Sequence, residues 1–96
     1  MSERVFQAKL IKRLKKEFPG AIVLKNDPGY LQGMPDLTIL YLDRWAVLEV
    51  KASKNASQQP NQQYYIDALD EMSYAAFIYP ENEEDVLSEL QHALGS

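Results

Sequence analysis

Asp36-Leu37-Thr38-Ile39-Leu40-Tyr41-Leu42-Asp43-Arg44-Trp45-Ala46-Val47-Leu48-Glu49-Val50-Lys51 consists of two β-rich runs separated by one charged dipeptide. Runs of this kind around a short polar break predict a β-hairpin. With Asp43 and Arg44 as the two loop residues, Leu42 pairs with Trp45, Asp36 falls opposite Lys51 and Thr38 falls opposite Glu49. Directly opposed residues share a face, and side chains along a strand alternate. Asp36, Glu49 and Lys51 therefore converge at one end of the hairpin, roughly 5 to 8 Å apart. Ala46, Leu48 and Val50 take the other face, where an apolar layer can cover them. A one-residue slip would send Asp36 to the wrong side.

Working outward, Gly33-Met34-Pro35 precedes the hairpin. Pro35 biases Met34 to an extended conformation and fixes the entry of Asp36 into its strand, while Gly33 lets the loop turn or lets a phosphate backbone come close. Upstream, Phe6, Leu10, Leu14 and Phe18 recur every four residues, joined by Ile11, and predict a helix from about Glu3 to Phe18 that Pro19-Gly20 ends. Ala21 to Lys25 reads as a strand, and residues 26–32 as a turn-rich loop. In that loop Asp27 can join a metal shell through water, Lys25 or Asn26 can meet a phosphate, and Tyr30 can stack on a base; turn chemistry and packing are the plainer roles. Downstream, Ala52 to Pro60 is a polar loop, Pro60 to about Met72 a helix with Tyr65, Ile66 and Leu69 inward, Tyr74 to Tyr79 a strand, and Glu83 to Ala93 a last helix. The order is αβββαβα, one α/β domain over residues 1–96, with a C-terminal helix after the last strand.

Two carboxylates, Asp36 and Glu49, supply hard oxygen ligands suited to Mg²⁺ or Mn²⁺, which keep several positions for water and phosphate oxygens. Lys51 beside them can orient a nucleophile and offset negative charge that develops on a phosphate. This spacing predicts metal-dependent hydrolysis of a phosphodiester. A charged pair on an otherwise apolar strand is costly unless it is paired or functional. The alternative is a solvated edge-strand pair that discourages aggregation, with Asp36 capping a turn.

The 96-residue chain carries a net charge of −4, which at first argues against a nucleic-acid partner. Its distribution argues otherwise. Residues 1–25 hold seven basic and two acidic side chains, a local +5, whereas residues 64–96 hold eight acids and no lysine or arginine. Lys12, Lys15 and Lys16 on the first helix, together with Lys25 and Lys54, are the candidate phosphate contacts, with the acidic third facing away or limiting loose binding. A solvated helix face is the alternative for the helical lysines. There are no cysteines, hence no disulfide framework, and no apolar run of membrane-spanning or signal-peptide length. Residence in the cytoplasm is the default expectation.

Gly33-Met34-Pro35-Asp36 followed by Glu49-Val50-Lys51 resembles the PD-(D/E)XK nuclease superfamily, and within it the small VRR-NUC nucleases, including the stand-alone versions of phage genomes. The resemblance covers most of the chain. It implies a restriction-endonuclease-like αβββαβ core with a mixed central sheet, and a site made of Glu3, Asp36, Glu49, Lys51 and Gln62. Gln63 or Gln59 can stand in for Gln62. It also implies that the Val50 carbonyl joins Glu3, Asp36 and Glu49 as a ligand of Mg²⁺ or Mn²⁺. The implied activity is an endodeoxyribonuclease acting on branched DNA such as flaps or four-way junctions. A homodimer is expected, because so small a domain has little surface to define a substrate and two-fold symmetry presents two sites to a branched duplex. Two rival classes stand beside this reading. One is a non-catalytic DNA-binding module on the same fold, and the other is a protein-interaction domain using the acidic carboxyl-terminal third.

Overall fold

The computed structural model describes residues 1–95. Helix α1 spans Glu3–Glu17, and Ser2 caps it by accepting a hydrogen bond from the Val5 N–H at 3.1 Å. Its inward stripe is Phe6, Leu10 and Leu14, extended by the cap residue Phe18, as the four-residue spacing predicts. Strands β1 (Ile22–Lys25), β2 (Leu37–Tyr41) and β3 (Arg44–Val50) follow, then α2 (Gln62–Met72), β4 (Tyr74–Ile78), a 3-10 turn at Pro80–Asn82, and α3 (Glu83–Leu94). The sheet runs β1-β2-β3-β4, with antiparallel pairing across the first two junctions and parallel pairing between β3 and β4. The parallel pair is joined through α2, the crossover that such a pair requires.

Both faces of the sheet are used, unequally. Leu37, Ile39, Ala46, Leu48, Val50 and Ile78 meet the apolar stripes of α1 and α3 in the main core. On the opposite face α2 covers β3 and β4, where Val47, Ile66 and Ala75 form a smaller cluster with Trp45, Leu69 and Phe77 against it. The β1 and β2 half of that face is left open, so Ile22, Leu24 and Leu40 are exposed. No helix among the described residues is long and apolar enough to cross a membrane.

The hairpin register differs from the sequence expectation by two residues. Tyr41 pairs with Arg44 and Leu40 with Trp45, so the loop is Leu42-Asp43 and not Asp43-Arg44. Leu42 takes φ +56°, the sign that the first loop position of a type II′ turn demands. Hydrophobic patterning cannot choose between these registers, because a two-residue shift returns every side chain to the same face. Arg44 stays in the strand, with its guanidinium donating to the Ala93 carbonyl at the end of α3 at 3.4 Å. The shift places Asp36 level with Glu49 instead of Lys51.

Of the two expectations for the acidic third, facing away does not hold for the start of α3. Arg13 in the C-terminal half of α1 bonds Glu17 at 2.7 Å, Glu83 at 2.9 Å and Glu84 at 2.5 Å, so the acidic start of α3 lies against α1.

Candidate active site

Four segments meet at the end of the sheet where β2 begins and β3 ends. Pro35, fully buried, leads into Asp36, whose Oδ2 accepts the Val50 N–H at 2.9 Å. That bond ties the start of β2 to the end of β3 and fixes the Asp36 carboxylate beside Glu49. The Lys51 N–H donates to the Ile78 carbonyl on the β4 side. Backbone groups of successive strand residues leave opposite edges, so the Val50 carbonyl leaves on the Asp36 side. Glu3 comes from the first turn of α1, on the same wheel position as the buried stripe, and reaches the cluster from the helix end. Carboxylate oxygens of Glu3, Asp36 and Glu49 all lie within 4.8 Å of one another. Glu3, Asp36 and Glu49 would hold a hard divalent cation between these oxygens, with the exposed Glu3 the most adjustable of the three.

Gln62 is the hinge of the polar network. Its Nε2 donates to Glu49 Oε2 at 2.9 Å, and its Oε1 accepts from Lys51 Nζ at 2.7 Å and from the Gln59 N–H at 2.8 Å. With two donors on Oε1 the amide has only one consistent orientation. Lys51 Nζ also donates to the Ser57 carbonyl at 3.0 Å, which leaves one of the three ammonium N–H groups for the cleft. Glu49 is 4% exposed, and Lys51 and Gln62 are each 8% exposed. The cleft they border has a volume of about 450 Å³.

Burial pushes the Glu49 carboxyl up to about 8, with the neighbouring Asp36 charge adding to the rise and Lys51 opposing it. An ion pair with Lys51 would act the other way, but Nζ lies 3.9 Å from Oε2 and spends two donors on Gln62 and Ser57. Among the described residues, Glu49 Oε1 is buried without a hydrogen-bond partner. A buried carboxyl oxygen without a hydrogen-bond partner, beside two other carboxyl groups that favour its protonated form, is a place where a hard cation would take the proton's role.

Of the three glutamines the sequence left open, Gln62 bridges Glu49 and Lys51, Gln59 contributes its backbone N–H and borders the cleft, and Gln63 turns away to Asp67. Asp27 accepts from the Gly29 N–H in a turn and lies outside the carboxylate cluster. Lys25, at the end of β1, and Lys54, in the loop after β3, are exposed, and neither lines the cleft. Lys12 lies two and a half helical turns from Glu3, on the outer face of α1 and about 13 Å along the axis, with Lys15 and Lys16 farther still. The helical lysines therefore do not gather at the cleft.

Three contributions escape sequence reasoning. The Ser57 carbonyl holding Lys51 is a backbone atom of a polar loop. Asn26 clamps the start of β2 through its amide, which donates to the Pro35 carbonyl at 2.8 Å and to Thr38 Oγ1 at 2.9 Å. Gly33, at φ +94°, packs directly on Asn61, where a Cβ would stand 2.7 Å from the Asn61 Cβ and 2.8 Å from its carbonyl carbon. The close neighbour that Gly33 admits is thus the start of α2, one residue before Gln62. The glycine was a visible signal, although its partner was not.

No family model matches the chain, and no curated protein or solved structure matches it.

Proposed function

We propose that this chain is a Mg²⁺- or Mn²⁺-dependent endodeoxyribonuclease of the VRR-NUC type, hydrolysing phosphodiester bonds in branched DNA. The observation that carries the reading is the three-carboxylate cluster of Glu3, Asp36 and Glu49, with Glu49 Oε1 buried and unpartnered and the Lys51 ammonium on the same cleft. Oxygen-only donors and an open cleft fit a hard divalent cation better than a soft one. Glu3, Asp36 and Glu49 would hold it, joined by the Val50 carbonyl. Such a cation, when bound, supplies positive charge against phosphate oxygens and lowers the pKa of a water.

The chain's own groups do the rest. Asp36 and Glu49 define where the scissile phosphate can sit. Lys51 directs its remaining N–H at the attacking water or at a phosphate oxygen, placing positive charge where negative charge grows in the transition state. Gln62 keeps the Lys51 amine and the Glu49 carboxylate in fixed relation, so neither has to reorganise during the reaction. Lys25 and Lys54 contact phosphates near the cut, and Lys12, Lys15 and Lys16 engage a more distant stretch of a long or branched substrate. Action as a homodimer in the cytoplasm belongs to the same proposal, and the open apolar strip of Ile22, Leu24 and Leu40 supports a partner copy.

The test is cleavage of labelled linear, flap, splayed and four-way junction DNA with Mg²⁺, Mn²⁺ or EDTA, comparing the native chain with Asp36→Asn. Metal-dependent cutting that the substitution abolishes supports the reading. Binding without cutting on every substrate favours a non-catalytic module instead.

A further inference from the structure

Beside the cleft, residues 26–35 form a loop tied at its own neck. The Asn26 N–H donates to the Asp36 carbonyl at 2.8 Å while its side-chain amide holds the Pro35 carbonyl. Inside the loop, the Gly29 N–H bonds Asp27 Oδ1, the Tyr30 N–H bonds the Asp27 carbonyl, and the Met34 N–H bonds the Leu31 carbonyl. A surface loop closed at its ends and braced by internal turns has a defined shape, and such loops are often functional. This one shapes a pocket of about 270 Å³ lined by Asn26, Asp27, Tyr30, Leu31 and Met34. Tyr30 is 87% exposed and Leu31 is exposed as well. The loop thus holds an aromatic ring and two aliphatic side chains around a water-facing hollow, an arrangement that gains free energy when an apolar surface fills it.

The walls select the occupant. No lysine or arginine lines the pocket, and Asp27 brings a carboxylate, so a phosphate is repelled. A neutral flat ring is accepted, and its amino groups can donate to the Asp27 oxygen that Gly29 does not use. Position points to the same ligand. Asn26 lines the pocket, Asp36 lines the cleft, and the two are hydrogen-bonded across neighbouring strand ends, so one residue of each site lies on adjacent backbones about 5 Å apart.

We propose that this pocket takes one unstacked nucleobase, from the nucleotide next to the scissile phosphate, with its ring against Tyr30. The proposal rests on the nuclease reading and deepens it. The preferred substrate becomes DNA with an unpaired nucleotide at the cut, because a paired base would first have to leave its stack.

The test uses the full chain and two matched duplexes, one carrying a single unpaired 2-aminopurine and the other fully paired. Binding is read in Ca²⁺ and cutting in Mg²⁺. Binding quenches the unpaired 2-aminopurine with the native chain and with Tyr30→Phe, which keeps the ring. With Tyr30→Ala the quenching disappears, and the half-saturating concentration for the unpaired duplex rises roughly 5- to 150-fold, as loss of one base stack implies, while that for the paired duplex is unchanged. Quenching unaffected by Tyr30→Ala, or equal weakening on both duplexes, overturns the proposal. Tyr30-dependent quenching with no cutting of any DNA upholds the pocket and overturns the nuclease reading. Cutting indifferent to Tyr30 upholds the nuclease and overturns the pocket.

Discussion

Replacing Glu49 by Gln separates the stability of the fold from the chemistry of the cleft. The Glu49 carboxyl is pushed from its ordinary 4.5 up to about 8 by burial and by Asp36. Between those values the folded protein holds a proton that the unfolded chain has already released. Stability contributed by this group is therefore fully present below about pH 4.5 and is lost as pH rises toward 8. At about 1.4 kcal/mol per pH unit the loss accumulates to about 4 kcal/mol, an upper bound because the side chain borders an open cleft. Glu49→Gln keeps the shape and the bond to Gln62 but carries no charge. In EDTA, urea unfolding at pH 5 and pH 8 should show the variant gaining on the native protein by about 2 to 4 kcal/mol as pH rises. A dominant ion pair between Glu49 and Lys51 would instead hold the carboxyl below 4.5, so folded and unfolded chains would both be ionised across this window and the difference would stay constant. A difference that does not change between pH 5 and 8, or in which the native protein gains on the variant, refutes the electrostatic reading.

Gln62→Ala takes one partner from the buried Lys51 amine, which keeps the Ser57 carbonyl, and the only side-chain donor among the described residues from the Glu49 carboxyl, so chemical denaturation should show a loss of about 1 to 3 kcal/mol, and single-turnover cutting should slow roughly 10- to 100-fold. Gly33→Ala combines a left-handed backbone with a Cβ 2.7 Å from Asn61, and thermal melts should report a loss of about 2 to 4 kcal/mol; a change below about 0.5 kcal/mol would falsify the close approach. Leu42→Asn should stabilise the protein by about 0.5 to 1 kcal/mol, because Asn tolerates the positive φ of the exposed hairpin loop; destabilisation would mean that Leu42 is paired in a strand.

Much of the architecture was legible because it repeats. The four-residue stripe of α1, the β-rich apolar runs of β2 and β3 and the stop at Pro19-Gly20 are periodic or local signals, and the α/β order follows from them. The hairpin register was not legible, because patterns with period two cannot distinguish shifts of two, and Leu42 is an unusual residue for a left-handed turn position. The faces survived the error for the same reason. In the site, Asp36, Glu49 and Lys51 were visible as charges on apolar strands. Glu3 and Gln62 came from the resemblance, and their convergence depends on where α1 and α2 begin relative to the sheet. The start of α2 is itself nonlocal, since Asn61 takes φ +71° without a side-chain cap and packs on Gly33. The lysines of α1 were visible as a cluster in sequence, yet the helical turn spreads them over the outer face.

On the proposed mechanism Lys51 acts on the reacting phosphate and not merely on the fold. Single-turnover cleavage of one labelled junction by Lys51→Ala, with Mn²⁺ affinity, DNA affinity and melting temperature measured on the same preparation, tests it most directly. Cutting should fall about 100-fold or more, with the metal and DNA still bound and the protein still folded. Cutting at the native rate by a folded Lys51→Ala protein contradicts it.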